Sequence, residues 1–155
     1  MYKINVVCVG KLKELYFEQA IKEYQKRLQK FCELKVIELS EETLPSNPSR
    51  AQIEKALDLE YQKILPNLKG AVIVCDPKGR QFSSEGFSDF IFKNFDTSDT
   101  LTFVIGSSYG LSEKIKGNKL ISFSLMTFPH HLMRVFALEQ IYRAFCIKNN
   151  ITYHK

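Results

Sequence analysis

The sequence lacks the features that mark many enzymes and membrane proteins. No apolar run approaches the roughly 20 residues that span a bilayer, and the opening stretch MYKINVVCVGKLKE has neither an apolar signal core nor a small-residue cleavage site. The expectation is a cytoplasmic protein with no membrane contact. Cys8, Cys32, Cys75 and Cys146 are far apart and form no C-x-x-C. Cys8 and Cys75 fall inside strand-like runs, where cysteine acts as a small buried hydrophobe, so a reduced protein with no metal is expected. Several motifs are absent: G-x-G-x-x-G after the first strand-like run, G-x-x-x-x-G-K-[ST], G-x-S-x-G and H-E-x-x-H. No carboxylate pair is obviously brought together as a glycosidase would require. His130 and His131 are adjacent, so on a helix they point about 100° apart and cannot share one metal comfortably.

What is present fits one domain spanning residues 1–155, with 45% hydrophobic and 25% charged residues. The net charge of +5 favours a polyanionic partner, most simply nucleic acid. Residues 2–9 read as a strand ended by Gly10. Phe17, Ala20, Ile21, Tyr24, Leu28 and Phe31 then recur at helical spacing over 15–31. A second strand is expected at 34–39, a loop at 40–50, and a helix begun by Asn47-Pro48. The run AVIVC (71–75) reads as a buried strand and DPKGRQ as a turn. Ser83 or Ser84 caps a helix reaching Phe95. Strands at 101–105 and 120–124 follow, then a long helix from Pro129 to Lys148. Alternating strands and helices predict an α/β fold with a largely parallel sheet.

In such a sheet ligands bind beyond the carboxyl ends of the strands. Three segments fall there: CDPKGRQ, GSSYGLS and SLMTFPHH. Glycines let backbone approach a ligand, and the third segment offers main-chain amides with apolar walls from Leu125, Met126 and Phe128. That combination suits a flat, mostly neutral ligand such as an adenine nucleoside. Each piece also has a plain structural reading: Gly79 and Gly110 as turn glycines, Met126 as core filler, Pro129 as a helix-start residue. The last helix is apolar on more than one face, which points to a second subunit packed along it. Arg134, nearer the strand-end loops than Arg143, is the candidate phosphate contact.

The stretches VGKLKE, SSEGF, FVIGSSYGL, SFSLMTFPHHLMRVFALEQIYRAF and the terminal YHK resemble the ribosomal large-subunit methyltransferase H family of the SPOUT superfamily, over essentially the whole chain. The resemblance implies an S-adenosylmethionine-dependent enzyme that methylates N3 of a pseudouridine in 23S rRNA. It also implies a homodimer and a C-terminal trefoil knot, which periodicity alone argues against. Carried over by position, the donor-binding residues are Cys75, Gly106, Phe123, Ser124, Leu125, Met126, Thr127 and Phe128. His130, Arg134, Tyr153 and His154 are the catalytic and substrate-placing candidates, with His154 or His130 as the base that removes the N3 proton. Alternatives are a SPOUT-fold enzyme with another RNA target and a non-catalytic RNA- or ribosome-binding protein. The family commonly has leucine where Cys75 stands and a second glycine where Ser107 stands. A serine held at positive φ there would be strained.

Overall fold

The computed structural model describes residues 1–155. Five strands, β1 (Tyr2–Val9), β2 (Cys32–Leu39), β3 (Ala71–Gln81), β4 (Thr100–Ile105) and β5 (Lys119–Ser122), form one sheet in the order β2-β1-β4-β3-β5. All four pairings are parallel. Four helices, α1 (Leu15–Leu28), α2 (Arg50–Ile64), α3 (Ser84–Phe95) and α4 (His130–Lys148), cover both faces. The parallel arrangement puts every strand's carboxyl end at one edge.

Strand β1 shows why the sheet is covered on both sides. Ile4, Val6 and Cys8 pack into the core beneath α1, α3 and α4, while Val7 and Val9 pack into the smaller core beneath α2. That is the two-residue period of a pleated strand. Helix α4 lies between α1 and α3 and buries Ala137, Leu138, Ile141, Ala144 and Phe145. The Phe145 ring meets Phe92 edge-on at 5.2 Å and stacks on Phe31 at 5.3 Å. Truncating such a ring typically costs about 3–5 kcal/mol. No helix is long and apolar enough to cross a membrane.

The structure moves several expected boundaries. Helix α1 stops at Leu28, and β2 starts at Cys32 rather than residue 34. The helical spacing of Phe31 is coincidental, because its ring packs on α4 from outside α1. Helix α2 is started by Ser49, not Asn47-Pro48. Ser49 and Gln52 form a reciprocal capping box that satisfies two otherwise unpaired helix-start amides. For α3 the cap is Ser83, accepting from the Gly86 amide at 3.0 Å. The expected turn DPKGRQ is a bulged continuation of β3 in which Arg80 and Gln81 pair with Ile121 and Ser122. Gly79 permits it, since a β-carbon there would sit 2.5 Å from Ile121 backbone. Strand β5 ends at Ser122, and Pro129 is the N-cap of α4, so 123–128 is irregular chain. Burial pushes the Cys8, Cys32 and Cys75 thiols up to about 12, leaving them protonated and unreactive.

Candidate active site

At the carboxyl edge the ends of β3, β4 and β5 surround a cavity of about 520 Å³. Cys75 comes from β3, and Gly106 and Ser107 follow β4. Phe123, Ser124, Met126, Thr127, Phe128 and His130 follow β5. Seven of the eight expected donor-binding residues therefore share one cavity. Leu125 does not line it and is 84% exposed. Its expected role as an apolar wall is corrected, because the turn from Ser124 to Thr127 aims it outward. Met126 lines the cavity yet is 74% exposed, so it forms a rim rather than a floor.

The loop after β4 is held tightly. The amide of Gly110 (φ +89°) donates to the Ser107 carbonyl at 2.9 Å. A β-carbon on Gly106 would overlap the Gly110 carbonyl, so only glycine lets the two backbones approach this closely. Ser107 is not at positive φ, so the strain conceivable for a serine there does not arise. Its hydroxyl instead donates to Glu60 of α2 at 3.4 Å, and Ser112 donates to Asp58 at 2.6 Å. Two carboxylates of one helix thus grip both ends of the loop. Burial raises the Glu60 carboxyl above the usual range, opposed by the hydrogen bond from the Glu42 amide.

The segment after β5 is anchored at its ends and open in its middle. Phe123 packs edge-on against Phe87 at 5.8 Å, and Phe128 against Phe136 at 5.3 Å. Ser122 donates to the Ser124 carbonyl, and the Met126 amide donates to the Ser124 hydroxyl. The amides of Leu125, Thr127 and Phe128 donate to nothing within the chain. They are main-chain donors available to a ligand.

His130 stands on the cavity wall at the first residue of α4. It is the one histidine of the three without a carboxylate partner. Burial, followed by the neighbouring His131 and Arg134 charges, lowers its pKa below the ordinary imidazole value. At neutral pH the ring is neutral and can accept a proton.

Arg134 is not placed to meet a phosphate. It is 1% exposed and donates to Glu38 at 2.8 Å, to the Val9 carbonyl at 3.1 Å and to the Gly10 carbonyl. The side chain lies beneath α4, and its charge is spent inside the fold. Tyr153 and His154 do not line this cavity of their own chain. Tyr153 donates to Glu139 at 3.0 Å, and burial is the first cause raising its phenol pKa, followed by hydrogen bonds with Tyr24 and Glu139. His154 lies between Arg143, 3.1 Å from Nδ1, and Glu85, 2.6 Å from Nε2. Both ring nitrogens are thus engaged by side chains of the same chain. A second cavity of about 400 Å³, lined by Phe82, Phe87, Phe136, Glu139 and Gln140, shares Phe123 and Phe128 with the first.

Asp58, Glu60 and Glu38 went unnoticed in the sequence. Each lies among charged residues on an amphipathic element, where a carboxylate looks like ordinary solvated surface, and no local pattern marks its partner.

Comparison with known proteins agrees with this geometry. Residues 2–154 match the profile described as a predicted SPOUT methyltransferase. The chain is 44% identical to the ribosomal RNA large subunit methyltransferase H of Streptococcus uberis, with 99% of each chain covered. It is 46% identical to the protein of that name from Lactobacillus acidophilus and 47% identical to that from Clostridium botulinum, with 98% of this chain and 99% of each relative covered. A strand-end cavity formed by the matched segments, within a profile match over nearly every residue, shows that the chain belongs to the SPOUT methyltransferase family.

Proposed function

We propose that this protein transfers the methyl group of S-adenosylmethionine to N3 of a pseudouridine in the 23S rRNA of the large ribosomal subunit. It does so as a cytoplasmic homodimer with the knotted C-terminal path that its relatives' resemblance implies. The observation that carries the reading is the meeting of Cys75, Gly106 and the 123–128 segment in one cavity. About 520 Å³ lies within the range of small-molecule sites. The free amides of Thr127 and Phe128 suit the hydrogen-bonding edge of an adenine, and Phe123 and Phe128 supply apolar walls. When bound, the donor supplies a methyl group already activated on a sulfonium.

The chain's task is then alignment and proton removal. Holding the reacting atoms in line can supply about 7–11 kcal/mol of the barrier. His130 would accept the N3 proton, leaving the nitrogen electron pair to take the methyl carbon as its bond to sulfur breaks and a neutral thioether leaves. Support for the dimer comes from α4, whose half-buried Phe136 meets Phe128, with Leu125 and Met126 exposed in the segment just before the helix. An apolar surface on the outward side of a helix already packed on its inward side fits a second copy.

The reading is tested by mass spectrometry of 23S rRNA from a strain lacking the gene, together with calorimetry of donor binding to the purified protein. One large-subunit pseudouridine should lose 14 mass units, and the wild-type gene should restore them. Unchanged rRNA, or no donor binding, would reject the proposal.

A further inference from the structure

The buried arginine raises a question that methyl transfer does not answer. Taking a cation out of water costs several kcal/mol unless it is well paired. Arg134 is paired, yet its partners are not those of an α4 residue serving the sheet core. Its guanidinium holds the Val9 and Gly10 carbonyls, where the chain leaves β1. Its Glu38 partner also accepts from the Leu12 amide at 3.1 Å. Two residues further on, Glu14 meets His131 Nδ1 at 3.2 Å. The loop between β1 and α1 is therefore stitched to the first turn of α4 at both ends. Gly10 lies against the catalytic candidate, since a β-carbon there would be 3.5 Å from His130 Nε2.

Lys11 and Lys13 project from this stitched loop. Both are exposed, and neither has an ion-pair partner. The adjacent carboxylates, Glu14 and Glu38, are already engaged. Glu41, beyond β2, is the nearby acid without a cationic partner. The loop thus presents two free ammonium groups beside the histidine that faces the donor cavity.

We propose that the Gly10–Glu14 loop is the RNA-backbone grip of the site, with Lys11 and Lys13 each contacting a phosphate near the target nucleotide. Arg134 is the positioning residue that holds this loop against His130. The inference rests on the RNA-substrate reading above. Lysine suits the task, because a compact ammonium on a flexible stem neutralises phosphate without needing a fixed approach angle. Arg134 serves it without touching RNA.

The test uses the full-length protein and ribosomes from a strain lacking the gene, with methylation rates and ribosome binding measured across a salt series. Lys11→Ala/Lys13→Ala is compared with Lys69→Ala/Lys93→Ala, which removes the same charge from the opposite edge of the sheet. The loop pair should raise KM for ribosomes at least tenfold while kcat and donor affinity stay within twofold. Its log–log salt slope should become shallower by roughly 1.4–1.8, the value for two lost phosphate contacts. Lys11→Arg/Lys13→Arg should retain both values. Arg134→Lys, or the milder Glu38→Gln, should raise KM and keep the wild-type slope. Equal effects from the loop pair and the opposite-edge pair would overturn the grip. A wild-type KM in both Arg134→Lys and Glu38→Gln would overturn its positioning role. Wild-type protein inactive on these ribosomes would overturn the substrate reading as well, whereas an active wild type with an unaffected loop pair would overturn this inference alone.

Discussion

Two irregular segments bracket α4, and they are built in opposite ways. Residues 123–128 keep the Leu125, Thr127 and Phe128 amides unbound, among others, and leave Leu125 and Met126 exposed. The tail beyond Lys148 is tied down by its side chains: Tyr153 on Glu139, and His154 between Arg143 and Glu85. The first segment is anchored where Phe123 packs on the core and Phe128 on Phe136, so its middle can serve a ligand. In the second, the Tyr153 and His154 side chains are satisfied by the protein itself. Within one chain this contrast separates the two histidine candidates, since His130 faces the strand-end cavity with no hydrogen-bond partner and His154 is engaged elsewhere.

The contrast can be broken most severely at Gly106. Gly106→Val should lower donor affinity at least a hundredfold, about 2.7 kcal/mol, because its side chain would overlap the Gly110 carbonyl and open the cavity wall. Calorimetry checks this. His130→Gln comes next, with kcat falling by about 10²–10⁴ and donor affinity within twofold. The sign of the pH effect follows from the lowered pKa of His130. The neutral, proton-accepting ring persists below the ordinary imidazole value of about 6.5. The wild-type kcat should therefore be flat through neutrality and fall only as pH drops through that lowered pKa. A single-turnover pH profile reads it directly.

On the tail side, Glu139→Gln weakens the acceptor shared by Arg143 and Tyr153. It should cost about 1–3 kcal/mol in denaturant unfolding and speed amide exchange over residues 150–155, with donor binding unchanged. The smallest effect is expected for Ser107→Gly, which removes the hydroxyl facing Glu60 and adds backbone freedom. A loss of about 0.5–1 kcal/mol should appear as a small drop in Tm.

The three strand-end segments were legible because parallel α/β topology dictates where the strands end, and apolar runs bounded by glycine mark those ends. The exit from α1 was misjudged because Phe31 continues the helical spacing while packing from outside the helix. The bulged part of β3 was hidden by DPKG, a turn sequence that pairing with Ile121 and Ser122 overrides. Arg134 was placed at the correct edge and given the wrong partner, since no local pattern tells whether a helix-start arginine faces solvent or the backbone of a strand 125 residues earlier.

By itself, the order of apolar and polar residues determined the alternation of strands and helices, the parallel sheet and the edge at which ligands bind. Those depend on periodicity and chain direction, which are local properties. Tertiary structure alone decided that Leu125 faces outward, that Arg134 holds the Gly10 loop, and that His130 rather than His154 faces the strand-end cavity of its own chain. Each of these depends on which distant groups compete for the same hydrogen bond or the same buried space.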